Sequence, residues 1–224
     1  MIMLTDEECP FCVVEEDGRS PIWTQLMGDD STSDVLLETE NFVVVLDTAP
    51  LVIGHTLIVT RRHIGSMASS GVSVREELLA LKSRVVKAVE SAFGPTTRFE
   101  HGAAGARRAA GACVDHAHLH VVPGIYDLRP SIAKDFSSIR SFGGYREALA
   151  EFDGLPYLVV EVDNGGTVGT EAQACTTQYL RRLVAISANA NERWNWRDCI
   201  RWHSALGLKS DLLEARSVLR RQLG

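Results

Sequence analysis

The sequence predicts an α+β fold, an antiparallel meander sheet with one main helix packed on it, followed by a mixed helical C-terminal extension. Three observations carry this expectation. Runs rich in β-branched residues and bounded by turn residues occur at 42–47, 55–60, 97–102 and 113–124. A helical period of apolar residues, Leu78, Leu81, Val85, Val89 and Phe93, lies between the second and third of these runs. Beyond residue 125 the pattern becomes a mixture of helical periods with one strand-like run, "YLVVEV" at 157–162.

The elements follow in order. "CPFC" at 9–12 precedes a turn-like stretch, "EEDGRSP", and "MGDDSTSD" at 27–34 reads as a polar loop. "NFVVVLDTAPLVIGHTLIVTRRHI" gives two strands joined through Pro50 and Gly54, an antiparallel hairpin ending at His63. Ser73 and Glu76 are spaced as a capping box for the main helix, which Gly94-Pro95 stops. "TRFEHG" is a short strand, and the Gly-rich "GAAGARRAAGA" leads to the last strand of the core. In the tail, helices are expected near 143–152, 174–189 and 208–222, with a Gly/Thr-rich loop to about 170. The expected division is a core at 1–124 and an extension at 125–224 packed on it, without a clean linker or internal repeat.

Composition narrows the function. With 45% apolar and 23% charged residues the chain has ordinary globular proportions. Its net charge of −6 disfavours nonspecific nucleic-acid binding. Runs such as "FVVVL" are too short to span a bilayer and the N-terminus lacks signal-peptide regions, so a cytoplasmic protein with no membrane partner is expected. Five cysteines, of which only Cys9 and Cys12 are close together, argue for a metal or reduced thiols rather than a disulfide framework.

The chemistry concentrates in "CVDHAHLHVVPG" at 113–124. Three of the seven histidines, His116, His118 and His120, recur at every second position. On a strand these side chains share one face, while Ala117, Leu119 and Val121 share the other and need an apolar partner. The histidine face then looks into a polar or ligand-bearing space, although a solvated face or a metal centre built from His-x-His would give the same spacing.

"HAHLHVV" at 116–122, "GHTLIVTRRHI" at 54–64 and "CPFC" at 9–12, in that relation along the chain, resemble the histidine-triad (HIT) family, in its zinc-bearing bacterial form. The resemblance covers about residues 9–124 and leaves 125–224 unexplained. It implies a HIT-like fold and a nucleotide hydrolase or nucleotidyltransferase cleaving at the α-phosphate of a nucleoside polyphosphate, phosphoramidate or nucleotide conjugate. His118 would be the nucleophile, His120 a donor to a non-bridging oxygen, and His55 a supporting or proton-relaying group. Asp47 would hold ribose hydroxyls, with Phe11 and Leu46 as walls for the base. Backbone N–H groups near Gly102, Gly105 and Gly111 would face the phosphate, with Arg107 and Arg108 near them. Cys9, Cys12, His63 and His116 would hold a structural zinc, so that His116 serves both the metal site and the triad. A homodimer is the family precedent. The competing reading of "CPFC" as a redox pair lacks a βαβ context.

Departures from the family pattern bear on the leaving group. Ala112 and Cys113 stand where the loop usually carries Gln and Ser or Thr, and Glu100 and His101 stand near the usual Asn. In the tail, Gln178, Arg181 and Arg182 could reach a leaving group, but a helix with Leu180, Leu183 and Ile186 buried and its arginines in water is the simpler expectation. Trp194, Trp196 and Trp202 are expected to close a small core. Two rivals are a nucleotide-binding regulatory protein without turnover and a zinc hydrolase using the triad as ligands.

Overall fold

The computed structural model describes residues 9–12, 19–28, 32–104, 111–112, 114–162 and 166–224. Its elements, in order, are α1 (Pro21–Met27), β1 (Val35–Glu38), β2 (Phe42–Leu46), β3 (Thr56–Thr60), α2 (Val72–Phe93), β4 (Thr96–Gly102) and β5 (His118–Pro123). The chain continues through α3 (Arg129–Asp135), β6 (Arg140–Phe142), α4 (Tyr145–Glu151), β7 (Tyr157–Val162), β8 (Gly166–Glu171), α5 (Tyr179–Ser187), α6 (Cys199–Leu206) and α7 (Lys209–Leu223). The fold is α+β, built on one antiparallel sheet in the order β1-β2-β3-β5-β4-β7-β8-β6.

The main helix is where its period places it, but its cap differs from expectation. Helix α2 starts at Val72 behind Gly71, which makes no side-chain cap, so Ser73 lies inside the first turn rather than at a capping box. Its buried stripe, Leu78, Leu81, Val85 and Val89, packs on Val44, Ile58, Leu119 and Val121 of the sheet. Each such fully buried side chain contributes about 1.5–3 kcal/mol relative to exposure.

The extension is more strand-rich than the sequence suggests. Residues 166–171, expected as a loop, form β8, and the sheet runs from β4 through β7 and β8 to β6 without a break at residue 125. Gly166 and Gly169 weaken the local strand signal, and the pairing of Val160 with Val168 and Glu161 with Thr167 supplies what local propensity lacks. The unit β6–α4–β7–β8 repeats the connectivity and pairing of β3–α2–β4–β5, a structural repeat that the sequence does not display.

Helices α1, α2, α4 and α7 contribute to the core on one face of the sheet. On the other face α3 and α5 pack on Phe99, Leu158, Val160 and Val168, contributed by β4, β7 and β8. The same face over β1, β2, β3 and β5 is left to a pocket. Among the described residues, no helix is long and apolar enough to cross a membrane.

Candidate active site and metal-ligand cluster

The pocket is a cavity of about 430 Å³, in the size range of small-molecule sites. Strand register builds its floor. Val59 pairs with His118 and Leu57 with His120, while Val43 and Val45 pair with Val59 and Leu57. Directly paired residues share a face, so an apolar floor of Val43, Val45, Leu57 and Val59 ends at two imidazoles. Phe11 and Trp196 border it from segments outside the sheet.

The three histidines part ways. Only His118 and His120 lie on β5, while His116 sits in the bend before it. His118 donates from Nδ1 to the His116 carbonyl at 2.6 Å, which assigns the ring's lone pair to Nε2. Its ring lies 5.1 Å from that of Phe11 and 4.8 Å from that of His120. Burial is the main cause holding its pKa below the ordinary histidine value, so it is neutral near pH 7.

His120 stacks on Phe99 at a centroid separation of 4.3 Å, and its Nδ1 lies 2.9 Å from His55 Nε2. His55 Nδ1 in turn lies 3.1 Å from Asp47 Oδ2 and 3.3 Å from the Leu51 N–H. It cannot donate to one and accept from the other. The shorter contact is to a buried carboxylate, against which a lone pair would be repelled, so the proton is on Nδ1. His55 Nε2 then accepts from His120 Nδ1–H, and His120 Nε2, buried and without a hydrogen-bond partner among the described residues, carries a lone pair. Burial, with Arg181 adding to it and Asp47 opposing, holds the pKa of His55 down to about 3. His120 is also held well below its ordinary value, chiefly by burial.

Asp47 is engaged on both oxygens. Oδ1 accepts from the Ala49 N–H at 2.8 Å, and Oδ2 accepts from Arg181 Nη1 at 2.9 Å and lies 3.1 Å from His55 Nδ1. Arg181, expected in water, is 2% exposed, and Ile186, expected in the buried stripe, is 56% exposed. The helix is rotated because Arg181 also donates to the carbonyls of Ala49 at 2.7 Å and Trp194 at 3.2 Å, which satisfy a guanidinium inside the protein. Removing one partner of such a buried pair costs about 3–5 kcal/mol. Arg182 lies over the Trp194 ring at 4.2 Å, and Gln178 bonds Asn195 and the Trp196 N–H, so neither lines the pocket. Trp202 and Trp196 join Cys199, Leu208 and Ala49 in a small core, whereas Trp194 packs on the core under α5.

Other expected substrate residues are placed elsewhere. Leu46 borders the cavity but is buried in the core behind the sheet. Glu100 points to the α2 side, accepting from Tyr145 Oη at 2.5 Å and the Met67 N–H at 2.8 Å, and does not line the pocket. The alternation of β4 explains this, because the neighbouring Phe99 faces the histidines. Gly102 lies under the Tyr157 ring, where a Cβ would meet Cε1 at 2.2 Å. Gly111, at φ +64°, is closed in by the Thr176 carbonyl, and its own carbonyl accepts from the Gln178 N–H at 2.7 Å, so the extension holds Gly111 in place. Gly105, Arg107, Arg108 and Cys113 lie outside the described residues.

Beside the pocket, Cys9, Cys12, His63 and His116 place one ligand atom each within 4.8 Å of one another. His116 Nδ1 lies 3.3 Å from Cys9 Sγ and 3.4 Å from Cys12 Sγ, and His63 Nδ1 lies 3.2 Å from Cys12 Sγ. His116 Nε2–H donates to the Thr60 carbonyl at 2.6 Å, which turns its Nδ1 lone pair toward the thiols. A second group, Asp47, His55 and His120, is equally close. There the Arg181 guanidinium already neutralises the carboxylate and opposes a further cation.

A model of the HIT domain matches residues 29–126. An uncharacterised HIT-like protein of Mycobacterium tuberculosis is 26% identical over 138 residues, covering 59% of this chain and 94% of that protein. Another, from Borreliella burgdorferi, is 26% identical over 106 residues, covering 46% and 73%. Among solved structures, a zinc-bound histidine triad family protein from Mycobacterium smegmatis is 27% identical, covering 44% of this chain and 69% of that chain with a TM-score of 0.35. A HIT family protein from Bacillus subtilis is 24% identical, covering 52% and 73% with a TM-score of 0.38. The matched span, residues 29–126, holds Asp47, His55 and all three histidines, and over that span the chain is similar to the HIT domain.

Proposed function

We propose that this chain is a nucleotide hydrolase or nucleotidyltransferase acting at the α-phosphorus of a nucleoside polyphosphate, phosphoramidate or nucleotide conjugate. The observation that carries this reading is the His118 Nδ1–H bond to the His116 carbonyl, which leaves a neutral, lone-pair-bearing Nε2 for attack. In the first step Nε2 bonds to phosphorus and the bond to the leaving group breaks; a polyphosphate departs as an anion without needing a proton. In the second step water or another acceptor attacks phosphorus and the P–N bond breaks. Two in-line displacements retain configuration overall. The apolar floor and Phe11 suit a planar base.

The roles of the neighbours differ from those the family resemblance implies. In the tautomer derived above, His120 Nε2 is an acceptor, suited to taking the proton of the attacking water rather than to donating to a phosphate oxygen. Asp47, occupied by Arg181, His55 and Ala49, has little capacity left for two ribose hydroxyls.

We assign a structural zinc to Cys9, Cys12, His63 and His116. The separations of 3.2–3.4 Å between their ligand atoms suit a tetrahedron with Zn–S of about 2.3 Å and Zn–N of about 2.0 Å. When bound, the metal would supply a cross-link rather than a reactive centre, pinning the segment that holds Phe11. The homodimer of the family stays a proposal, and its interface would use β1, β6 or a helical face, because β4 is paired with β7.

The test is a comparison of wild type with His118→Ala on dinucleoside polyphosphates, nucleotide sugars and nucleoside phosphoramidates, following mononucleotide release. The expected result is a loss of turnover of several orders of magnitude with nucleotide binding retained. An active His118→Ala protein would contradict the covalent mechanism. Binding of nucleotides by the wild type without turnover of any substrate would favour the regulatory reading.

A further inference from the structure

The extension supplies one buried charge to the site, and its position matters. Arg181 reaches from α5 to Asp47, and from there a line of contacts runs through His55 and His120 into the pocket, with steps of 2.9, 3.1 and 2.9 Å. Arg181 and Asp47 are 2% and 5% exposed, and His55 and His120 are 0% and 1% exposed, so charge within this cluster must balance locally. As placed, one guanidinium offsets one carboxylate and both imidazoles are neutral. Among the described residues, the other titratable or charged groups facing the cluster are His118, beside His120, His101 under α5, and Cys199 and His203 with Arg193, near Asp47. His203 Nε2 donates to the Thr48 carbonyl rather than to Asp47.

Without Arg181, the Asp47 carboxylate would be a net negative charge with His55 as its nearest partner. His55 would then take up a proton and become the compensating cation. Its Nε2, now bearing hydrogen, would donate to His120 Nδ1 and force the His120 proton onto Nε2. The lone pair facing the pocket would become a donor.

We propose that Arg181 is a positioning residue that fixes the His120 tautomer, by supplying the positive charge that Asp47 would otherwise draw from His55. The extension is thus part of the catalytic apparatus. The consequence for turnover rests on the proposed function, but the tautomer itself does not. A helix anchor alone would account for the carbonyl contacts of Arg181 but would leave the His55 and His120 protons unaffected.

The experiment is ¹⁵N-imidazole NMR of the full-length, metal-replete protein at pH 7 without substrate, for wild type, Arg181→Lys and Arg181→Met. The expected wild-type spectrum shows neutral His55 and His120, each protonated on Nδ1. Arg181→Met should shift His55 to imidazolium and His120 to the Nε2–H form, and Arg181→Lys, which keeps the charge, should retain the wild-type forms. On any substrate found, Arg181→Met should lower kcat at least tenfold with KM changed less than threefold, and Arg181→Lys should restore most of it. A folded Arg181→Met with wild-type tautomers would overturn the proposal. So would a wild-type His120 protonated on Nε2, a result that needs no variant to fold. Because no substrate enters the NMR measurement, failure of the nucleotide reading would leave this outcome readable.

Discussion

Three histidines of one motif do three different things here, and the difference lies in which ring nitrogen carries the proton. His116 keeps Nε2–H on the Thr60 carbonyl and turns Nδ1 to the thiols. His118 keeps Nδ1–H on the His116 carbonyl and offers Nε2. His120 keeps Nδ1–H on His55. All three are buried and neutral, a state that stabilises the fold only while the solvent does not force protonation. Burial holds His55 and His101 to about 3, below the unfolded value of 6.5. Between these values the unfolded chain binds more protons, so the stability is fully present above pH 6.5 and is lost as pH falls toward the folded value. Each of the two should remove on the order of 2 kcal/mol between pH 7 and pH 5. Denaturant midpoints at the two pH values check this, and equal midpoints would contradict the buried neutral state.

At the scale of elements, two segments outside the central strands complete the site. Residues 9–12 bring Phe11 to within 5.7 Å of the His116 ring and 5.1 Å of the His118 ring, between the two cysteines that face His116 and His63. Removing the metal should free this segment, lowering nucleotide affinity severalfold and leaving the sheet folded. Protein purified without chelator should carry about one zinc per chain. Elemental analysis checks the content, and less than about half an equivalent, or unchanged affinity after chelation, would contradict the site. The second segment is α5. Its arginine was hidden in the sequence because an arginine on a helix with Leu180 and Leu183 has the pattern of a solvated face. The one hint was an acidic Asp47 in need of a cation, and only the register of the fold shows that Arg181 meets it.

For the whole molecule, the strong local signals were legible: the alternation of β2 and β3, the period of α2, the strand at 157–162 and the histidine spacing all reappear close to where the sequence places them. What was not legible depends on contacts distant in sequence. Strand β8 exists because β7 and β6 pair with it on both sides, and β1 because it pairs with β2, although neither has a strong β pattern of its own. Glu100, expected near the substrate from its place close to the family's usual Asn, is turned to the other side by the pleat of β4. The repeat β6–α4–β7–β8 is carried by topology alone. It continues the sheet of the HIT-like span and leads into the helix that carries Arg181 to the pocket, which ties residues 125–224 to the cluster of side chains around His118.

The central claim is a covalent nucleotide on His118. Its most direct test is a single-turnover reaction of excess protein with the best substrate found, quenched in alkali to preserve the acid-labile P–N bond and followed by intact and peptide mass. The account predicts a transient gain of one nucleotidyl group on the peptide carrying His118, formed and lost at rates that reproduce turnover and absent from His118→Ala. Release of mononucleotide at full rate with no adduct at any time point would contradict it.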